Sequence, residues 1–308
     1  MKLNFYLTKP AITFFLFGVL IAFSCSKEKS GNGSASDQEE QASMVSSQAD
    51  GEAELIFNNI FDDAMGASDD VGMAGTGIFG RNGLTNVSDG INLMRTTVCF
   101  NVLITHATTA VFPVKIVIDF GTTGCTGPDG HVRKGKIVTE YTNRLLYPGA
   151  IATSTFDGYY VDSIKVEGTH KITNTGTSNI RQFTVDVTNA RLSKPSGNYT
   201  EWNSHKIITQ VEGLATATYP KDDIFKTEGS AHGKVKKDAL LVGWESSIIE
   251  PLMKRFTCAW IVKGKIKAVR INTSSNDKWV AELDFGTGDC DNKAVITING
   301  VAHNITLH

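Results

Sequence analysis

The chain has 308 residues, 41% of them hydrophobic and 20% charged, which is enough apolar content for a sizeable core. Its 30 Lys and Arg against 32 Asp and Glu leave a formal charge of −2, so bulk charge points to no polyanionic partner, nucleic acid included.

The first stretch reads as targeting. Lys2 and Lys9 precede an apolar run from Ala11 to Phe23, followed by small Ser24 and then Cys25. That run is too short to cross a bilayer core, which needs about 20 helical residues. A signal segment over residues 1–24 is expected, with Cys25 as the lipidation site; a plain secretory signal with an incidental cysteine is the alternative. Losing residues 1–24 would remove Lys2 and Lys9, two positive charges, and make the net charge more negative. Residues 25–50 are rich in Ser, Gly, Gln, Lys and Glu with no aromatic residue, a composition that predicts a flexible tether reaching roughly 25–30 Å.

From Glu52 to Met65, Leu55, Ile56, Ile60, Phe61 and Met65 recur at helical spacing between polar residues, predicting one amphipathic helix that ends at Gly66. Residues 71–90 predict a long loop; its glycines lack the Gly-Lys-Ser/Thr ending of a phosphate cradle. Short alternating segments then follow one another over 97–105, 114–120, 135–141, 150–156, 163–173, 181–192, 204–213, 214–219, 230–236, 239–246, 257–271, 278–285, 293–298 and 301–307. Phe156-Asp157-Gly158 and Asn299-Gly300 read as turns. With no helical period between the segments, antiparallel connections are required, because parallel strands need long crossovers. The expected fold class is all-β, an antiparallel meander forming a wide curved sheet or two packed sheets, with one N-terminal amphipathic helix. It would occupy residues 51–308 as one β-rich domain.

One motif occurs twice within it. Asp119-Phe120-Gly121-Thr122 precedes Cys125, and Asp284-Phe285-Gly286-Thr287 precedes Cys290, each after an apolar alternation and each with an upstream cysteine, Cys99 or Cys258. This marks an internal repeat over approximately residues 97–145 and 256–307, and it pairs Cys99 with Cys125 and Cys258 with Cys290 as disulfides, with buried free thiols as the alternative. Asp119 and Asp284 are expected to cap the turn that follows them. Asp289, Asp291 and Asn292 offer a weak oxygen cluster for a cation, but hard cations want six or more ligands, so no metal is expected. The seven histidines are scattered, and neither His-Glu-x-x-His nor Gly-x-Ser-x-Gly occurs; no catalytic residue and no cofactor are implied.

Three basic groupings stand out: Lys263, Lys265 and Lys267 on one side of a strand, Lys234 with Lys236, and His131, Arg133, Lys134 and Lys136. The first is a candidate polyanion-binding stripe for an anionic glycan, with Tyr159, Tyr160 or Trp202 as stacking partners, against the plainer reading of a solvated strand face.

The lipobox-like Cys25, the tether, and runs such as Ile118-Asp119-Phe120-Gly121-Thr122, Arg133-Lys134-Gly135-Lys136-Ile137 and Lys165-Val166-Glu167-Gly168-Thr169 resemble the uncharacterised β-rich lipoproteins of Bacteroidetes-type bacteria. That resemblance implies a cell-envelope, outer-membrane lipoprotein, surface exposure included, and supplies no catalytic residues. Asp162-Ser163-Ile164 is similar to the Asp-Ser/Thr-aliphatic sites that such bacteria glycosylate. The expected function is a non-enzymatic binding or structural module for glycans or other envelope polymers. Its partners would be the membrane, through the N-terminal lipid, and such a polymer, with no nucleic acid. The alternative is a glycan-directed hydrolase or other extracytoplasmic enzyme whose site is assembled only in space.

Overall fold

The computed structural model describes residues 35–68, 70–73, 77–79, 99–107, 110–127, 129–216, 222–271 and 279–307. The signal segment and Cys25 lie outside them. Among the described residues one helix, α1 (Ala35–Gly66), is followed by a short 3₁₀ turn (Gly77–Phe79) and then only strands: β1 (Asn101–His106), β2 (Val114–Asp119), β3 (Cys125–Thr126), β4 (Val132–Tyr141), β5 (Ile151–Val161), β6 (Ile164–Asn174) and β7 (Gln182–Ser193). The chain continues as β8 (Tyr199–Glu212), β9 (Ile224–Lys237), β10 (Leu240–Arg255), β11 (Lys263–Ile271), β12 (Val280–Thr287), β13 (Lys293–Ile298) and β14 (Val301–Thr306). All join one 14-stranded antiparallel sheet in chain order, with the two-residue β3 as a spur on β4. The sheet is open, with β1 and β14 as its edges, so the single curved sheet replaces the two-sheet alternative. Among the described residues no helix is long and apolar enough to cross a membrane.

The sheet wraps its own helix. Every residue from Ala49 to Asn58 is buried, and at 3.6 residues per turn such a run samples every side of the helix, so α1 is covered all round. A belt of mostly small residues on the inner face makes room for it. Thr139, Ser154, His170, Val187, Ser204, Ala231, Ser246, Ala268 and Ala281 are successive cross-strand partners from β4 to β12, and all are buried. On the helix side, a Cβ added to Gly51 would come within 2.7 Å of Leu283 Cδ2, so the mid-helix glycine trades propensity for close approach. Bulges bend the long strands round the helix. At one of them Gly135, with φ 75°, packs so tightly on β5 that a Cβ would meet the Gly158 carbonyl oxygen at 1.9 Å.

Four expectations need correcting. Over residues 35–50 the expected tether, and with it the helix start at 52, gives way to a helix from Ala35, already buried at Ala42; residues 25–34 lie outside the described residues. Its polar composition suits it because the sheet supplies partners: Arg270 lies 3.4 Å from Glu39, His303 3.3 Å from Glu40, Lys194 2.8 Å from Glu52, and Trp202 Nε1 donates to Asp50 at 2.7 Å. The turn expected at Phe156-Asp157-Gly158 is the β5 bulge, whereas Asn299-Gly300, with φ of 50° and 81°, is the two-residue hairpin turn expected. Residues 214–216 are turn rather than the start of a strand, and the sheet gains β3 instead. Finally, Cys99 and Cys258 lie in the connections just before β1 and β11, not inside strands.

The two copies of the motif share one local geometry. Cys99 bonds Cys125 and Cys258 bonds Cys290, with Cα separations of 5.3 and 5.8 Å. Each bridge ties the approach to one strand, β1 or β11, to the exit of its antiparallel neighbour, β2 or β12. In both copies the aspartate caps as expected: Asp119 Oδ1 accepts from Gly121 N and Asp284 Oδ1 from Gly286 N, each at 2.9 Å, while Phe120 and Phe285 are buried.

Candidate functional site

Two regions compete for a functional role, a cleft above the helix and the outer face of the sheet. The cleft forms where opposite walls of the sheet approach each other over α1. His131 from the β3–β4 connection meets Trp260 from the β10–β11 connection, ring centroids 5.6 Å apart and planes at 63°. Leu55, Ile56 and Asn59 make the floor, and Arg133, Tyr159 and Asp162 the near wall.

Local chain geometry sets each polar group there. Asp162 and Ser163, with φ of 47° and 67°, form the two-residue β5–β6 turn, which points the Asp162 carboxylate back toward β4. It bonds His131 Nδ1 and accepts from Val132 N at 2.8 Å. Arg133 faces inward and is buried, donating from Nη1 and Nη2 to the two Asp129 oxygens at 2.8 and 2.5 Å. Burial works against the Asp129 charge, but the hydrogen bonds and positive charge of Arg133 outweigh it and hold the carboxyl at about 2. Deeper in, burial lifts Asp63 to about 6 despite the opposing charge of Arg133 and the bond from Ile78 N at 2.8 Å, and burial also raises the Tyr159 hydroxyl.

Most of these groups are spent on one another, although Arg133 Nε and Asp63 Oδ2 have no hydrogen-bond partner among the described residues. The cleft has a cavity volume of about 20 Å³, room for about one water. Among the described residues His131 bonds the Asp162 carboxylate and no hydroxyl, and the Ser163 hydroxyl turns to its neighbour's carbonyl. The arrangement latches the β4–β6 wall to the β10–β11 connection across the helix; it lacks space for a sugar ring beside the imidazole.

The other residues singled out in the sequence separate into inside and outside. Trp202 and Tyr159 are buried, Trp202 stacking on Phe57 at 5.4 Å, so neither is a surface stacking partner; Tyr160 is the one that reaches the outer face. Arg133 leaves the group of His131, Lys134 and Lys136 for the interior. Lys263, Lys265 and Lys267 do lie on the outer face, but Lys265 is 2.8 Å from Glu250 and 3.7 Å from Asp284, and Lys267 is paired in register with Glu282. Lys234 is 2.8 Å from Glu201 and Lys136 3.5 Å from Asp119. These basic groups of the outer face are thus largely engaged in cross-strand charge pairs. Among the described residues no group of three or more His, Cys, Asp or Glu is placed to hold a metal, and Asp291 instead accepts from Lys293 N at 3.0 Å.

Comparison with known proteins finds no match to a family model, to a curated protein or to a solved structure.

Proposed function

We propose that the protein is a cell-envelope lipoprotein, anchored in the outer membrane through lipid on Cys25, that acts as a non-enzymatic binding module for envelope polymers, glycans first. The observation that carries this reading is the state of the sheet interior. A curved antiparallel sheet offers its concave side as the natural ligand chamber, and here α1 fills it, so a polymer has only the outer face and the rims to bind. The lipid anchor rests on Cys25 being placed directly after the apolar segment.

Two measurements test the proposal. Cys25→Ser should move the protein from the membrane fraction to the soluble extracytoplasmic fraction, and unchanged retention with unchanged lipid labelling would refute the anchor. The secreted Cys25→Ser protein should bind members of a glycan array without altering them. Release of shortened glycans would favour the hydrolase reading, and an array without binding would remove glycans as the ligand class.

A further inference from the structure

The basic stripe singled out in the sequence has Lys265 ion-paired at its centre and Lys267 opposite Glu282, but the register of the sheet assembles another that is not contiguous in the chain. On the outer face Lys134 pairs across with Tyr160, Tyr160 with Lys165, Lys165 with Ser193, Ser193 with Tyr199, and Tyr199 with Lys236. Six adjacent strands, β4 to β9, thus contribute one residue each to a straight row of three lysines, two tyrosines and a serine. The flanking residues Arg133, Tyr159, Val161, Ile164, Val166, Leu192, Thr200 and Val235 are all buried, so the row itself faces outward. At about 4.8 Å per strand the lysines at its ends are roughly 24 Å apart and the tyrosines roughly 14 Å.

We infer that this row is the binding strip for an extended acidic polysaccharide, with Tyr160 and Tyr199 as stacking platforms and Lys134, Lys165 and Lys236 as counter-charges. The inference rests on the glycan-binding reading above and names the site and the ligand class.

Four observations converge on it. First, the row contains no carboxylate, whereas the next row inward, Glu167, Arg191, Glu201 and Lys234, is self-neutralising through pairs of 2.7 and 2.8 Å. Lys165 is shared with Glu167 at 2.7 Å, but Lys134 and Lys236 have no carboxylate at ion-pair distance among the described residues. Second, Tyr199 is held in place: the Arg191 guanidinium lies 3.7 Å from its ring centroid, which fixes the ring. Third, the surface is hollow here. A depression of about 510 Å³ lies against Val132, Lys134, Tyr160 and Pro195, while a second of about 140 Å³ beside Tyr199 and Lys236 opens at the rim between the sheet and Val45, Ala49 and Glu52 of α1 rather than on the outer face. The β7–β8 loop contributes to both, Pro195 to the first and Lys194 to the second. Fourth, the acidic group bordering the larger depression, Asp162, is already tied to His131 and to Val132 N. Amphipathic rings with flanking cations suit the apolar face and the acid groups of a sugar chain. The straight, many-stranded row suits a polymer rather than a compact ligand.

The test uses the secreted Cys25→Ser protein on immobilised polygalacturonate and heparin, with neutral dextran as control. Retention on the acidic matrices that falls with salt is expected. Tyr160→Ala with Tyr199→Ala should weaken it at least roughly tenfold, with Tyr→Phe at both sites restoring most of it, and Lys134→Gln with Lys236→Gln should flatten its salt dependence. Melting temperatures should stay close to the parent, because these side chains lie outside the core. The Lys263, Lys265 and Lys267 triple Gln change should leave retention as it is. Retention lost in that triple variant and kept in the row variants would overturn the site, and preference for dextran would overturn the ligand class, both leaving a glycan-binding module in place. Retention on no matrix, together with an empty glycan array, would overturn the underlying reading itself.

Discussion

His170 makes the helix-in-sheet packing measurable. It is the one large polar residue in the belt of small residues, fully buried on β6, with its ring stacked on Phe57 of α1 at 6.2 Å and 15°, and neither ring nitrogen has a hydrogen-bond partner among the described residues. Burial alone pushes its pKa from 6.5 down to about 3. The unfolded chain therefore takes up a proton at this position near pH 6.5, while the native protein stays neutral until about pH 3. A depressed folded-state pKa gives stability that is present above 6.5 and is lost as pH falls toward 3, at about 1.4 kcal/mol per pH unit. Over the whole window the loss reaches roughly 4–5 kcal/mol, and between pH 7.5 and pH 4 about 3 kcal/mol. His170→Phe keeps a flat ring against Phe57 and removes the titration, and His170→Leu serves where the larger ring overpacks. Urea denaturation of parent and variant at intervals from pH 7.5 to pH 4 should give stability curves that diverge by about 3 kcal/mol in favour of the variant at the acid end. Asp63, Asp129 and Asp223 also titrate with shifted values, but they are present in both proteins and cancel in the difference. Curves that stay parallel within about 0.5 kcal/mol for both variants would refute the reasoning.

Other consequences follow from the same interior. Lys206 and Glu54 form a buried pair at 2.8 Å between β8 and α1, so Glu54→Leu should cost about 3–5 kcal/mol by stranding the ammonium, whereas Glu54→Leu with Lys206→Met should come back near the parent in the same urea assay. Asp63, lifted to about 6 by burial, contributes stability that is complete below 3.8 and lost as pH rises through 6; Asp63→Asn should therefore gain up to about 3 kcal/mol relative to the parent between pH 4 and pH 7, read as a difference in melting temperature. The bridges close loops of 26 and 32 positions, and removing either should cost about 3–4 kcal/mol on chain entropy. Their local effects should differ: β1 is exposed along its whole length, so Cys99→Ser with Cys125→Ser should strip amide-exchange protection from Asn101–His106, while loss of the Cys258–Cys290 bridge should leave β1 protected.

What the sequence made legible was whatever depends on local period and local chemistry. The alternation in Val114, Ile116 and Ile118 or Phe183, Val185 and Val187 placed strands, Asn299-Gly300 placed a turn, and the twice-used Asp-Phe-Gly-Thr motif paired the cysteines. What stayed hidden depends on partners far away in the chain. The Ala35–Asp50 half of α1 looks like a tether because its charges have no local reason to be buried; Arg270, His303 and Trp202 supply that reason from strands more than a hundred residues on. Phe156-Asp157-Gly158 looks like a turn because a bulge needs the same glycine, and only the facing Gly135 distinguishes the two. The cleft and the Lys-Tyr row were invisible for a related reason: Lys134, Tyr160 and Tyr199 become neighbours only through register, and a one-residue slip in any ladder would turn part of the row inward.

The charged helix and the sheet around it also constrain where function can lie. Without α1 the sheet would expose the ammonium groups of Lys206 and Lys254 on its concave face, and without the sheet the apolar side chains of α1 from Leu55 to Met65 would lose their cover. Lys254 shows the coupling at one atom, since its Nζ meets Asn58, Asn59 and Asp62 at 3.1, 3.0 and 2.7 Å. Releasing the helix to admit a ligand would unpair several buried charges at once, each costing several kcal/mol. The binding role proposed above is therefore left the outer face and the rims of the sheet.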